Sequence, residues 1–323
     1  MRFSVESWSP EYGIAADQNA FEEAANSVDA TIERPLDQWS GIQPPRQEAP
    51  ARVLFVDGVR RIDARVWIHD GQRSHVGVCA SVAAGAVECS STASAVIAVN
   101  VGRGIFAPAA SGATSVVTKH ATYEYRPTTS DEPQAIYNGI HELMTELEMS
   151  AAIEHSADLV VFDGPLRGRN DPIGVGYIKT QQVQYLPDEV VPILGQLGDG
   201  ERTPLMLIGG HGFTRFSWYL RLPGPRTQPL AGIVRLELPA VGPITAAIAR
   251  AEIVSACLPR FASEPHKEPR APQNLYPIAG LENQLRHRLG DALLLERSLR
   301  IEAAASTKTI GAVGPADTAP ASD

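Results

Sequence analysis

Cysteine, lysine and aromatic residues are all scarce in this chain. The three cysteines, Cys79, Cys89 and Cys257, are odd in number and far from metal-finger spacing. Their scarcity predicts a reducing compartment and buried, inert thiols. Only four lysines occur (Lys119, Lys179, Lys267, Lys308), so arginine carries nearly all the positive charge. Such a bias follows from the base composition of a genome as readily as from phosphate recognition. No apolar run approaches the ~20 residues of a membrane span. The opening residues Met1 to Glu6 lack the apolar core of a secretion signal. The expectation is a cytoplasmic protein with no membrane contact. An excess of positive charge is missing too: 37 acidic side chains oppose 28 basic ones, a formal net charge of −9. That balance excludes a protein that coats nucleic acid by bulk charge, but not an enzyme that holds nucleic acid in a local basic groove. What remains is ordinary for a soluble protein: 323 residues, 44% apolar and 20% charged, enough for one large domain or two smaller ones.

Residues 1–50 form a mixed N-terminal extension, with an alanine-rich helical stretch over 15–30 and prolines at 35, 44 and 45. Residues 52–56 are β-branched and aromatic, and Asp57-Gly58 reads as the turn that ends them. Residues 61–69 alternate apolar and polar, Asp70-Gly71 marks a second turn, and residues 76–87 are small and apolar. The pattern predicts an antiparallel three-strand meander. From 132 to 155 the period changes: Ile136, Ile140, Leu143, Leu147 and Ala151 fall three or four apart, one stripe of a helix. That helix leads into Leu159-Val160-Val161-Phe162, a buried strand stopped by Asp163-Gly164-Pro165. Further strands are expected over 176–179, 205–208, 217–222 and 232–238, with helices over 244–258 and 281–300. Gly209 to Gly212 reads as a flexible loop, Trp218 and Tyr219 as core, and 301–323 as a disordered tail. The fold class is α/β, a mixed sheet with flanking helices and a C-terminal helix.

Two apolar strands thus end in the same dipeptide, Asp57-Gly58 and Asp163-Gly164. Laid side by side, they would place two carboxylates together, an arrangement a divalent cation neutralises. Each Asp-Gly pair taken alone merely starts a turn. A third acid lies on the helix between them, where Glu148 flanks the apolar stripe and Glu146 competes with it. A meander, a helix and a strand carrying Asp, Glu and Asp in that order suit two-metal phosphodiester hydrolysis. Lys179, at the end of a short strand, could meet a scissile phosphate or simply snorkel at a sheet edge. Arg167, Arg169 and Arg235 are candidates for lining a DNA channel. No P-loop, dinucleotide fingerprint or nucleophile elbow is present.

These residues carry a resemblance. Val56-Asp57-Gly58, the acidic helix, residues 159–166, Gly176-Tyr177-Ile178-Lys179, Arg235-Leu236-Glu237 and Tyr276-Pro277 follow the order of the NurA nuclease family. The likeness runs from about residue 50 to 300. It implies a ribonuclease-H-like nuclease domain over 51–300. Asp57, Asp163 and Glu148 (or Glu146) would be ligands of Mn²⁺ or Mg²⁺, two ions in all. Lys179 would contact phosphate, and Tyr276 would be the tyrosine of the family's Tyr-Pro motif. The family's histidine ligand falls at Gln284 here, so His287, three residues on, would supply the imidazole. The resemblance further implies a DNA nuclease, a 5′–3′ exonuclease with endonuclease activity, working in DNA end resection and repair. Its partners would be a HerA-type hexameric ATPase and a second copy of itself, with residues 1–50 a candidate for the dimer interface. The departure at Gln284 leaves open an inactive relative that serves the ATPase as a binding partner.

Overall fold

The apolar run that reaches Val56 does not end the strand at Asp57-Gly58. In the computed structural model, which describes residues 2–6, 27–70, 73–109, 114–153, 156–169, 171–179, 185–210, 213–226, 230–268 and 270–311, no turn occurs there. The strands are β1 (Arg2–Glu6), β2 (Ser27–Asp29), β3 (Arg52–Asp70), β4 (Arg73–Ser90), β5 (Ser94–Pro108), β6 (Ser115–Val117) and β7 (Thr122–Thr128). They continue with β8 (Leu159–Asp163), β9 (Gly174–Ile178), β10 (Met206–Gly210), β11 (Phe213–Arg221) and β12 (Ile233–Pro239). The helices are α1 (Pro133–Ile153), the single turn α2 (Ile193–Gln196), α3 (Ile244–Cys257), α4 (Tyr276–Arg288) and α5 (Ala292–Gly311). One mixed, mostly antiparallel sheet of 12 strands runs β2-β10-β11-β12-β9-β8-β3-β4-β5-β7-β6, with β1 on the free side of β3.

The expected turn at Asp57-Gly58 is therefore corrected: both residues lie inside the 19-residue β3, opposite Gly85 and Ala84 of β4. Glycine serves a different need there. A Cβ on Gly58 would stand 2.6 Å from Met144 Cγ and 2.7 Å from Glu148 Oε1, so its absence lets α1 sit against the strand. The antiparallel neighbours β3, β4 and β5 span 52–108, with Gly71 outside the described residues. Small residues let the helices approach the sheet. A Cβ on Gly85 would stand 3.3 Å from Leu281 and Leu285 of α4, and one on Gly102 of β5 would stand 3.1 Å from Leu143 of α1. Both leucines of α4 are fully buried, each contributing about 1.5–3 kcal/mol.

Face follows parity along β3. Val53, Phe55 and Val59 pack into the core beneath α3 and α4, whereas Leu54 and Val56 pack beneath α1. β3 pairs in parallel with β8 through Val53–Val56, and with β1 only from Arg65 onward. Among the described residues, positions 57–64 therefore have no strand beside them on that edge. A gap opens in the sheet where β8 ends.

Three other expectations are corrected. The helix expected over 281–300 is two, α4 and α5, broken at Gly290 with φ +80°. Arg61 donates to the carbonyls of Gly290 (2.6 Å) and Leu289 (3.2 Å), satisfying helix-end acceptors. The tail is helical through Gly311, because Leu299 and Ala303 bury in a cluster with Ala64, Val66 and Ile68 of β3; residues 312–323 lie outside the described residues. Gly209 and Gly210 complete β10 rather than a loop, His211 and Gly212 lying outside the described residues. Of the alanine-rich stretch over 15–30, residues 15–26 lie outside the described residues and Ser27–Asp29 pair with β10. Trp218 and Tyr219 are fully buried, as are the free thiols, whose proton affinity burial raises. Among the described residues no helix is long and apolar enough to cross a membrane.

Candidate active site

Asp57 and Asp163 meet at the gap. The parallel register aligns Val56 with Phe162, so the next residue of each strand carries its carboxylate to the same face. β8 stops at once: Gly164, with φ +98°, turns the chain in a conformation that favours glycine. Asp57 is 5% exposed, and its Oδ1 accepts the Gly58 amide at 2.7 Å. Burial holds its proton affinity well above the ordinary carboxylate range. The neighbouring Asp163 raises it further, Lys179 opposes, and Glu148 and Glu282 add to the rise.

Every other acid of the group has a cation. Asp163 Oδ2 accepts Lys179 Nζ at 2.7 Å, and the same ammonium donates to Asn274 Oδ1 at 2.9 Å. Glu148 arrives from α1 on the opposite face, its Oε2 taking Arg169 Nε at 2.7 Å and Nη2 at 2.6 Å. Arg169 also donates to the Pro165 carbonyl, fixing the loop after β8. Glu282 of α4 accepts from Arg270 (2.7 Å) and Arg286 (2.6 Å). Burial alone would raise Glu282, but the Arg286 hydrogen bond and the charges of Arg270, Lys179 and Arg286 bring it below the usual range.

A divalent cation suits this pair chemically. Asp163 Oδ1 is buried with no hydrogen-bond partner among the described residues, an expensive state for a carboxylate oxygen. With Asp57 beside it, the donor set is hard oxygen from two carboxylates, what Mg²⁺ or Mn²⁺ takes while keeping several waters. Among the described residues no three His, Cys, Asp or Glu side chains form a cation cage, since Glu148 is turned to Arg169.

The remaining candidates disperse. Glu146 is largely exposed and pairs with Arg126 at 2.8 Å, so Glu148 is the helical acid at the gap. Tyr276 is half-exposed, packs on Phe261 at 5.6 Å and lines a separate 470 Å³ groove with Arg260, Glu264 and Lys267. His287 is exposed in the last turn of α4, and among the described residues it joins no metal-holding group with the acids. Arg169 and Arg235 are buried in internal ion pairs, and Arg169 also lines a 570 Å³ groove with Leu166, Phe213 and Arg215. Arg169 is 3% exposed in its pair with Glu148; Arg235 is 1% exposed, bonded to Glu237 and stacked over Tyr185 at 4.6 Å. Glu237 also accepts the Leu166 amide at 3.2 Å, so Arg235-Leu236-Glu237 fastens the loop behind Asp163. Arg167 remains at the surface, on a 540 Å³ groove with Asn138, His141, Glu142 and Thr145. Sequence reasoning missed Glu282 and Asn274. Glu282 sits two residues before Gln284, and its spacing from the buried Ile278 and Leu285 was a usable signal; Asn274 gave none.

The NurA domain profile matches residues 52–283 of the chain. Among solved structures, the NurA nuclease from Sulfolobus solfataricus aligns with 88% of this chain and 91% of its own, at 11% identity and a TM-score of 0.48. Curated protein sequences yield no match.

Proposed function

The chain belongs to the NurA family of nucleases, and from that membership we propose that it is a divalent-metal-dependent DNA nuclease centred on Asp57 and Asp163. The observation that carries the reading is the pair itself: two carboxylates on adjacent parallel strands at a gap in the sheet, one buried with raised proton affinity, the other with an orphaned oxygen. Asp57 and Asp163 would hold Mn²⁺ or Mg²⁺, two ions in a ribonuclease-H-like arrangement, with Glu148 a ligand once released by Arg169. Bound there, the cations would neutralise the paired carboxylates and polarise the scissile phosphate.

The chain's own groups do the rest. Lys179 aims a point charge into the gap beside Asp163, where a non-bridging phosphate oxygen would lie. Arg169 orients Glu148 and Glu237 holds the loop after β8, keeping both walls of the gap in place. Arg167 offers a surface contact for the strand backbone. We further propose a homodimer in the cytoplasm that acts with a HerA-type hexameric ATPase in end resection and repair, as a 5′–3′ exonuclease with endonuclease activity. A motor that feeds the strand would let a chain of net charge −9 act on DNA without bulk attraction.

One observation favours a second reading, an inactive partner of the ATPase: among the described residues no imidazole joins the carboxylates in a metal-holding group, and Arg169 occupies Glu148. Labelled single- and double-stranded DNA, incubated with Mn²⁺ with and without the ATPase, separates the two. Cleavage in at least one combination is expected; none in any combination supports the inactive reading.

A further inference from the structure

The Lys179 ammonium has two acceptors of different kinds, Asp163 Oδ2 at 2.7 Å and Asn274 Oδ1 at 2.9 Å. A lone carboxylate partner would leave a flexible four-carbon stem free to swing around it. The amide removes that freedom, and it cannot follow the lysine, because its own place is fixed. Tyr177 donates its hydroxyl to the Gln273 carbonyl at 2.6 Å, and Gln273 Nε2 donates to the Ile233 carbonyl at 3.3 Å. The Asn274 backbone N–H donates to the Arg270 carbonyl at 3.0 Å, and Leu275 is fully buried in the core where α4 begins. The segment before α4 is stapled to β9 and β12 on both sides of the side chain.

The amide's orientation is fixed too. Asn274 has no exposed surface, and its Nδ2 finds no partner among the described residues. Turning the amide over to relieve Nδ2 would aim an NH₂ group at an ammonium. An orphaned buried donor is destabilising, and here it accompanies an acceptor fixed on Lys179.

We propose that Asn274 is a positioning residue for Lys179, holding the ammonium in the gap so that its third N–H meets a non-bridging phosphate oxygen of the bound strand. This rests on the nuclease reading of the Asp57–Asp163 pair. A double-mutant cycle tests it, using wild type, Asn274→Leu, Lys179→Ala and the double variant. Each is read as Mn²⁺-dependent cleavage and as affinity for labelled oligothymidylate in EDTA, where no cation contributes. Asn274→Leu is expected to lower kcat roughly 10- to 100-fold, as outer-shell partners do. In the Lys179→Ala background it should change neither readout further, because the amide acts only through the ammonium. Losses that multiply, or an Asn274→Leu variant with wild-type cleavage and affinity, would overturn the proposal. If Asn274→Leu does not fold, Asn274→Ala, which adds no branched bulk, goes through the same cycle. A wild-type protein that cleaves nothing would defeat the nuclease reading instead, and the EDTA affinities would still decide whether amide and ammonium are coupled.

Discussion

Asp57 bears the cost of its site in the folded chain. Burial and the adjacent Asp163 raise its proton affinity above the ordinary value of 3.8, so folding takes up a proton between 3.8 and the raised value. Stability from this residue therefore falls as pH rises through that window. Asp57→Asn removes the buried charge and should stabilise the metal-free protein at neutral pH by on the order of 1 kcal/mol, seen as a higher Tm. A lower Tm would contradict that account of the site. His141 works with the opposite sign. Burial, with Arg169, Arg167 and Arg60 nearby, lowers it from 6.5 to about 3, so the unfolded chain binds a proton that the folded one refuses. Its contribution is intact above the unfolded value and is lost as pH falls below 6.5. His141→Gln should lose less stability than wild type in denaturant titrations below that value, by up to about 1.4 kcal/mol per pH unit. At this scale the pairing of the two carboxylates was legible because each aspartate follows an apolar run and precedes glycine. His287 was misplaced because helical spacing alone says nothing of which face meets the gap.

Elements explain why Asp-Gly recurs. At Gly164 the glycine turns the chain, as the dipeptide suggests; at Gly58 it makes room for α1 inside a continuing strand. The two uses look identical in sequence, and only the helix packed against the strand separates them. Gly58→Ala must push Met144 and Glu148 aside, at a cost of about 1–3 kcal/mol for overpacking. Its denaturation midpoint should fall with an unchanged m-value, and cleavage should fall with it because Glu148 moves; unchanged stability would show that α1 has room to shift. The helix stripe of α1 and the core strand β8 were legible from periodicity. The break between α4 and α5 was not, because Arg61 and Arg103, which take the carbonyl of Leu289, are distant in sequence. Nor was the helical continuation to Gly311, whose alanine-rich composition reads as a tail until Leu299 and Ala303 find a surface to bury against.

Across the whole molecule, charge is organised against bulk attraction. Most of the arginines near the gap are spent on internal acids: Arg169 on Glu148, Arg235 and Arg215 on Glu237, Arg270 and Arg286 on Glu282. Lys179 and Arg167 are the cations this account gives to a bound strand, so the salt dependence of single-strand binding should be shallow. Two neutralised phosphates predict a slope of about −1.4 in log K against log salt, measurable by anisotropy. A slope steeper than about −4 would mean a basic track that this account lacks. The mixed sheet was legible as a whole, whereas the gap seen at residues 57–64 among the described residues was not, since it depends on where β8 ends along its neighbour. The most direct test of the central claim is single-turnover cleavage of labelled single-stranded DNA at saturating Mn²⁺, comparing wild type with Asp57→Asn and Asp163→Asn. A loss of about 10³-fold or more in each variant is predicted, the several kcal/mol that a metal ligand supplies. Wild-type rates in either variant would contradict it.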